Sequence, residues 1–436
     1  MLDSPCEKTF DNRYYIAHGN ALMVTASCRA YGSGVVMGET AAQQNGNDFY
    51  HAVADSYRQS SKTVGKDFFV FDGDRHLIEP LEAFTKYLDK DFQDQAPYVA
   101  VDNGGGIRFV VEGRMYQKPH GWGVGRPEGN SDYRPRGVSL TRDEAVQHAL
   151  DKRDEDMDIT GVDIGMWIPT GGLFLPDVVD IDLQYALMRA LNDWTAKDYC
   201  VGKRHLWCGA IPLEPGRAVA EVKRCKELGA SAMWLRPNVM QDVRWWTEDW
   251  DPVWEAMTDN NMALLFHEAT GTYNATHSAD YKYDVYWMAH VASHPLEMCG
   301  ALIAIIGYGV LQRHPRLNVM MCEAGVTWVP YFIGRMDEHV ESRPAHELNL
   351  DMLPSDYFKR QVCICAFEDD EPLLAETMAL WEGRNMGYTS DYPHWDSSGI
   401  SGVERYLNEF PDISPEHREL FFSRNLIDVF NLKPDD

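Results

Sequence analysis

The sequence predicts an α/β fold, namely a (β/α)8 TIM-like barrel with a β-hairpin insertion after strand 1 and an N-terminal extension. Short apolar runs alternate with helix-like segments along most of the chain. The length of 436 residues suits one large α/β domain with insertions. Ionisable residues repeatedly follow the apolar runs, and barrel enzymes carry their active groups at these strand ends.

Eight segments carry the strand pattern, and helical segments separate most of them. The predicted strands are residues 68–74, 163–169, 205–211, 231–237, 263–267, 318–323, 362–368 and 385–391. The predicted helices are residues 141–157, 181–199, 215–228, 250–260, 295–313, 326–341, 372–382 and 414–430. Because neighbouring parallel strands need a crossover between them, this alternation is typical of a closed parallel barrel.

The barrel is predicted to occupy residues 67–436, after an N-terminal extension or arm at residues 1–66. An insertion at about 96–137 follows strand 1. Residues 98–116 have the pattern of a β-hairpin around a triple glycine. Since another strand follows the glycines, they form a turn and not a dinucleotide-binding loop. Residues 118–137 form either a lid over a site or a plain surface connection.

Composition and charge exclude several classes of partner. The net charge is −27 without a basic stripe, so binding to nucleic acid or to an anionic membrane is not expected. The nine cysteines include no CxxC pair, which is typical of a reduced, cytoplasmic protein. Residues 1–20 are too polar for a signal peptide, and the apolar stretch 298–311 is too short to span a bilayer. The N-terminal arm must pack against another protein surface, so we expect a homo- or hetero-oligomer in which it contacts a neighbouring subunit.

Strand 1 runs directly into a group of charged side chains, in the sequence FFVFDGDRHLIEP at residues 68–80. Side chains alternate along a strand, so Asp72, Asp74 and His76 are expected on one face, with Glu79 following. Three carboxylates and an imidazole at the end of a buried strand are costly unless a cation or hydrogen bonds compensate them. A metal site is therefore predicted, and a capping cluster with one structural histidine is the alternative.

Three later strands also end in ionisable residues. His267 and Glu268 follow the fifth strand, and Glu323 follows the sixth. Asp391 ends the eighth strand within the string SDYPH, and His394 lies three residues further on. The carboxyl ends of barrel strands meet at one mouth, so these side chains are expected to converge on a shared metal centre.

The chain resembles the amidohydrolase superfamily, in the branch that includes aminocarboxymuconate-semialdehyde decarboxylase. The resemblance spans residues 66–430 and rests on several strings in the right order. These are HPLEM at residues 294–298, GVLQRHPRLNVMMCEAGVTWVPYFIGRMDE at residues 309–338 and SDYPHWDS at residues 390–397. It implies a metal held by an HxH pair after strand 1, a histidine after strand 5 and an aspartate after strand 8. Asp74 and His76, His267, and Asp391 occupy these positions.

The departures from this pattern replace nitrogen with oxygen. Asp74 stands at the first histidine of HxH, and Glu323 stands where the family has a histidine after strand 6. Glu79 and His294 are further candidate ligands. The full predicted ligand set is Asp74, His76, Glu79, His267, His294, Glu323 and Asp391. Such ligation favours a divalent iron or manganese ion over zinc, which is the alternative, and leaves open whether one ion or two are bound.

Several of these residues have a second interpretation. Asp72 is expected to accept backbone N–H bonds and fasten the strand end. Glu79 could cap a helix, and His294 could be a structural residue at the start of a helix. Glu323 and His394 are the candidate catalytic residues, with Glu323 as a general base and His394 facing the substrate.

Three classes of function fit these residues. A non-haem oxygenase with a dinuclear iron or manganese site would hydroxylate a small molecule with dioxygen. A mononuclear zinc-type enzyme would be a hydrolase or a non-oxidative decarboxylase of a small carboxylated substrate. A metal-binding structural subunit of a hetero-oligomer would keep the site without catalysis. The replacement of nitrogen by carboxylate oxygen favours the oxygenase.

Overall fold

The structure is a computed structural model. It describes residues 41–58, 66–101, 103, 107–119, 153–269, 286–342, 350–366, 371, 373–394 and 402–433. The chain divides into two compact units, residues 1–45 and 46–436, and of the first unit only the start of helix α1 is described. Most of the predicted lid segment, from residue 120 onward, lies outside the described residues.

Eight parallel strands form the main sheet, in the order β1-β5-β6-β7-β8-β9-β10-β11. They are β1 (Phe71–Leu77), β5 (Ile164–Pro169), β6 (His205–Ala210), β7 (Ala232–Leu235), β8 (Ala263–Phe266), β9 (Val319–Met321), β10 (Val362–Cys365) and β11 (Met386–Gly387). Each strand overlaps one of the eight predicted segments. The predicted (β/α)8 barrel is confirmed.

Helices connect the strands and pack around them. They are α1 (Ala41–Arg58), α2 (Glu82–Thr85), α3 (residues 153–160), α4 (Ile181–Trp194), α5 (Pro215–Glu227), α6 (Asp251–Asp259), α7 (Tyr286–Gly307), α8 (Val310–Arg313), α9 (Val329–Ser342), α10 (Pro354–Gln361), α11 (Leu374–Leu380), α12 (Gly402–Glu409), α13 (Pro415–Glu419) and α14 (Asn425–Val429). Of the predicted helix 141–157, only the part from residue 153 is described.

The first and last strands close the barrel, and we call their junction the seam. Three backbone hydrogen bonds cross the seam: Gly73 N to Tyr388 O at 3.0 Å, Asp391 N to Asp74 O at 3.0 Å, and His76 N to Tyr392 O at 2.6 Å. The Asp72 carboxylate reinforces it by accepting from the backbone N–H and the hydroxyl of Ser390, at 3.0 and 2.5 Å. Asp72 therefore fastens the strand, as expected from the sequence.

A bulge in β1 separates Asp72 from the residues that follow. The register between β1 and β5 shifts between Asp72 and Arg75. The fully buried Arg75 guanidinium donates to Asp72 at 2.9 Å and lies over the rings of Trp167 and Tyr392. A Cβ atom on Gly165 would stand 2.4 Å from the Arg75 side chain. The absence of a side chain at Gly165 therefore makes room for this arginine.

The insertion forms a separate antiparallel sheet of strands β2 (Tyr98–Val101), β3 (Ile107–Val111) and β4 (Arg114–Pro119). The sequence predicts one hairpin here, but the structure has two turns. Glu112 and Gly113 form the second turn, with φ angles of 48° and 70°. Such positive angles at two central residues are typical of a tight hairpin turn. The turn was missed because glutamate is uncommon in this conformation.

Helix α7 is longer at its start than the predicted helix 295–313. It begins at Tyr286, so Pro295 lies inside it, and it ends before Gly309, whose φ angle is 74°. The bilayer argument from the shorter stretch is therefore wrong: by length and composition, Met288–Gly307 could cross a membrane. However, 61% of its most apolar window is buried inside the fold, as in the core helix of a globular protein.

The end of the predicted arm packs on the barrel domain. The Tyr50 and Ser423 hydroxyl groups are 2.7 Å apart, and Val53, Ala54 and Tyr57 are buried. Contact of the arm with a neighbouring subunit stays a prediction.

We expect Asp72→Ala to destabilise the fold through the seam. The substitution leaves the buried Arg75 without this carboxylate, which typically costs about 3–5 kcal/mol. Urea unfolding followed by tryptophan fluorescence measures the change. The control Asp259→Ala removes an exposed ion pair with Arg316 and should cost about 0.5 kcal/mol or less. Equal stability of the two variants would contradict the role of the seam.

Candidate metal centre

Four side chains from three strand ends meet at the mouth of the barrel, and we call them the first ligand group: Asp74, His76, His267 and Asp391. His76 Nε2 lies 3.1 Å from His267 Nε2, 3.1 Å from Asp391 Oδ1 and 3.3 Å from Asp74 Oδ1. His267 Nε2 lies 3.5 Å from the other Asp74 oxygen. All four residues are buried. The structure thus brings together the residues expected after strands 1, 5 and 8.

The hydrogen bonds of the two histidines indicate which nitrogens face the group. His76 Nδ1 is 3.1 Å from the Pro169 carbonyl, and His267 Nδ1 is 2.6 Å from the Glu268 carbonyl. Because a carbonyl only accepts, both Nδ1 atoms carry hydrogen, and in neutral rings both Nε2 lone pairs point at each other. Both oxygens of the buried Asp74 carboxylate lack a hydrogen-bond partner within the described part of the chain. Converging acceptors of this kind suit a divalent cation.

The electrostatics of the group favour a positive charge at the same point. Burial lowers the pKa of His76, but its contacts with the Asp391 and Asp74 carboxylates outweigh burial and raise it to about 10. Burial raises the pKa of Asp74, but the neighbouring His267 and His76 outweigh burial and lower it. Either a proton on the ring or a bound cation satisfies the two carboxylates.

A second ligand group lies beside the first and consists of His290, His294 and Glu323. Glu323 Oε2 is 3.1 Å from His294 Nε2 and 3.3 Å from His267 Nε2. Glu323 Oε1 is 3.5 Å from His290 Nε2. Glu323 therefore stands between the two groups.

His290 has no role in the sequence-based prediction. The signal was its spacing from His294, since residues four apart lie on one face of a helix. The predicted helix began at Pro295, which placed both histidines outside it. Helix α7 begins earlier and presents both rings to Glu323.

Glu79 is not brought to either ligand group. Its carboxylate accepts hydrogen bonds from three consecutive backbone amides after β5, those of Thr170, Gly171 and Gly172, at 2.9–3.1 Å. These amides satisfy both oxygens, so the predicted ligand role of Glu79 gains no support from the structure. Glu79 instead holds the loop that carries Thr170.

His394 connects that loop to the first ligand group. Its Nδ1 is 2.8 Å from Asp391 Oδ1, and its Nε2 is 2.9 Å from the Thr170 hydroxyl. Its ring stacks on His76 with centroids 3.9 Å apart. The Asp391 carboxylate thus contacts His76 on one side and His394 on the other. Thr170 was not predicted, because no motif marks a hydroxyl that orients a histidine.

Two carboxylates of the site sit on unusual backbone. Glu323 and Asp391 both have a φ angle of 51°, in the left-handed region that few residues other than glycine adopt. Such conformations concentrate at functional sites, where the surrounding structure holds them in place.

A buried ion pair lies at the same end of the barrel. Arg236 follows β7, Glu268 follows β8, and their charged groups are 2.5 Å apart with both residues fully buried. Two further arginines, Arg335 and Arg108, have the chemistry to bind a substrate carboxylate. Arg335 is exposed on α9, and Arg108 lies in the insertion sheet.

Comparison with known proteins assigns the fold to a family. The family model described as Amidohydrolase matches residues 162–432. A 2-amino-3-carboxymuconate-6-semialdehyde decarboxylase of Dictyostelium discoideum is 22% identical over 258 residues, which cover 57% of this chain and 67% of the relative.

Solved structures share the barrel at low sequence identity. An amidohydrolase of Mycobacterium avium subsp. paratuberculosis superposes with a TM-score of 0.69 at 22% identity, over 84% of this chain and 100% of that chain. A 5-carboxyvanillate decarboxylase of Novosphingobium aromaticivorans, complexed with manganese and 4-hydroxy-3-methoxy-5-nitrobenzoic acid, gives 0.60 at 19% identity, over 85% and 98%. A 2,6-dihydroxybenzoate decarboxylase of Rhizobium gives 0.58 at 15% identity, over 84% and 99%.

These findings correct the predicted reaction. The prediction that the protein hydroxylates a small molecule with dioxygen is wrong, because the relative matched by sequence and two of the three structures named above are decarboxylases. Carboxylate ligands do not by themselves indicate oxygen chemistry. A decarboxylase that shares the fold is complexed with manganese, so a manganese ion in this fold does not by itself indicate a redox reaction. The preference for iron has no support.

The remaining findings agree on the family. The family model covers more than half of the chain, and the ligand positions quoted from the sequence lie together at the mouth of the barrel. The chain belongs to the amidohydrolase family, in the branch that resembles aminocarboxymuconate-semialdehyde decarboxylase.

Proposed function

We propose that this protein is a metal-dependent, non-oxidative decarboxylase of a small carboxylated substrate. The observation that carries the proposal is the buried first ligand group, in which two imidazole nitrogens and two carboxylates converge. The named relatives support the choice of decarboxylation over hydrolysis. A structural subunit would not need the further proton-carrying groups that surround this site.

The proposed ligands of the cation are Asp74, His76, His267 and Asp391. Manganese is the metal we favour, because imidazole with carboxylate suits it and a decarboxylase of the same fold is complexed with it. Zinc is the alternative. When bound, a divalent cation would act as a Lewis acid that polarises a substrate oxygen.

The residues around the ligands supply the proton transfers that decarboxylation needs. The carbon–carbon bond to the carboxyl group breaks, carbon dioxide leaves, and the electron pair stays on the substrate carbon. That carbon then takes a proton. We assign this proton to His394, whose ring is held between Asp391 and Thr170. With a cation at these four ligands and none beside Glu323, Glu323 is assigned as the base that removes a proton from a substrate hydroxyl group.

The substrate would have to be small and anionic. Arg236 directly follows β7 and therefore lies at the mouth of the barrel. Its guanidinium is engaged by Glu268. Residues 120–152 and 270–285 lie outside the described part of the chain.

Loss of a ligand should remove the metal and leave the barrel folded. We expect His267→Ala and Asp391→Asn to reduce the affinity for manganese at least about tenfold, since even residues that only support a ligand contribute this much. Metal analysis after equilibrium dialysis measures the loss, and circular dichroism checks the fold. The exposed His339 supplies the control His339→Ala, which should bind metal normally. Unchanged affinity in both ligand variants would rule out this site.

The reaction should release carbon dioxide and should not need dioxygen. Small aromatic and unsaturated carboxylic acids form the test panel, with the manganese-loaded protein. We expect one substrate to lose a carboxyl group at the same rate in air and under nitrogen, as measured by carbon dioxide release. A product formed without carbon dioxide, or only in air, would contradict the proposal.

Removing the proton carrier should slow the reaction without releasing the metal. We expect His394→Asn to lower kcat about 10²–10⁴-fold, the usual contribution of a general acid. His394 supports the ligand Asp391 but is not a proposed ligand, so the metal content should match that of the unsubstituted protein when Mn²⁺ is supplied in excess. The control is His417→Asn, at a histidine of α13 that belongs to neither ligand group. A kcat within about threefold of the control would remove His394 from the mechanism.

A further inference from the structure

The second ligand group has the geometry of a metal site in its own right. His290 and His294 are four residues apart on α7, and their ring centroids are 4.4 Å apart. One ligand atom from each of His290, His294 and Glu323 lies within 4.8 Å of the others. Two histidines at this spacing on one helix, together with a carboxylate, form a recurrent metal-binding arrangement.

The hydrogen bonding of His294 indicates which atom it offers. Its Nδ1 lies 3.2 Å from the backbone carbonyl of His290, one turn earlier in the helix. The carbonyl only accepts, so Nδ1 carries the hydrogen. In the neutral ring, Nε2 then presents a lone pair, and this atom is the one that faces Glu323 at 3.1 Å.

Glu323 is placed to serve both ligand groups. Its Oε2 lies between His294 and His267, at 3.1 and 3.3 Å, and its Oε1 faces His290 at 3.5 Å. Glu323 and His294 are 4% and 3% exposed, so the group is built into the barrel mouth. Because Glu323 contacts a histidine of each group, its carboxylate would be available as a ligand to an ion at either group.

We propose that His290, His294 and Glu323 bind a second divalent cation beside the first ligand group. The nitrogen and oxygen donors suit manganese or zinc. The site goes beyond the proposed decarboxylation, which needs only one ion, and it involves no dioxygen. A second positive charge at this point would strengthen the attraction of an anionic substrate.

The alternative is an ion pair in which a protonated histidine satisfies Glu323 without a metal. The two arrangements differ in the number of ions bound. The full-length protein is stripped with a chelator and titrated with Mn²⁺ alone, and calorimetry and metal analysis count the ions. We expect two equivalents in the unsubstituted protein and one in His290→Ala and His294→Ala. The control His339→Ala should bind two.

Either of two results would overturn the proposal: one equivalent in the unsubstituted protein, or two equivalents in both histidine variants. His294 is buried, so His290→Gln, at a more exposed position of the same group, guards against a loss caused by misfolding. Electron paramagnetic resonance adds a readout that a structural role would not change. Two neighbouring Mn²⁺ ions should give a spin-coupled spectrum, which His290→Gln should convert to that of an isolated ion.

This experiment is separate from the test of the reaction. If two ions bind but no carboxylic acid loses carbon dioxide, the second site stands and the proposed function fails. If carbon dioxide is released by a protein with one ion, the proposed function stands and the second site fails.

Discussion

The seam between β1 and β11 is the constraint on which the site depends. Asp74 and His76 come from one end of the sheet order, and Asp391 comes from the other. The hydrogen bond from Asp391 N to Asp74 O joins the very residues whose side chains form the first ligand group. Closing the barrel therefore also brings these ligands together, because neither strand carries enough donors alone.

The cost of the site is electrostatic. Buried carboxylates are unfavourable without compensation. Asp74 and Asp391 face the Nε2 atoms of His76 and His267. The Nδ1 atoms of both rings already donate to backbone carbonyls. Elsewhere at the barrel mouth, buried carboxylates are neutralised within the chain. Glu79 accepts from three amides and Glu268 pairs with Arg236. Both Asp74 oxygens lack a hydrogen bond within the described residues, whereas Glu79 and Glu268 each accept at least one. A cation is the partner that the surroundings of Asp74 suit.

Sequence patterns predicted the fold and most of the site because both follow from local order. Apolar runs mark buried strands, and ionisable residues directly after them lie at the barrel mouth, as for His267 and Asp391. The parts of the site that sequence patterns do not determine depend on contacts between segments that are distant in the sequence. Glu79 has the sequence context of a ligand, but its carboxylate accepts from the amides of Thr170–Gly172. The position of His290 beside His294 depends on where α7 begins. The reaction could not be predicted from ligand type, because one set of oxygen and nitrogen donors supports several chemistries.

The central claim is that the first ligand group holds a divalent cation. Anomalous X-ray diffraction at the manganese absorption edge, from crystals grown with Mn²⁺, tests it most directly. The account predicts an anomalous peak within coordination distance of His76, His267, Asp74 and Asp391. Manganese bound elsewhere in the crystal, with no peak among these four side chains, would contradict it.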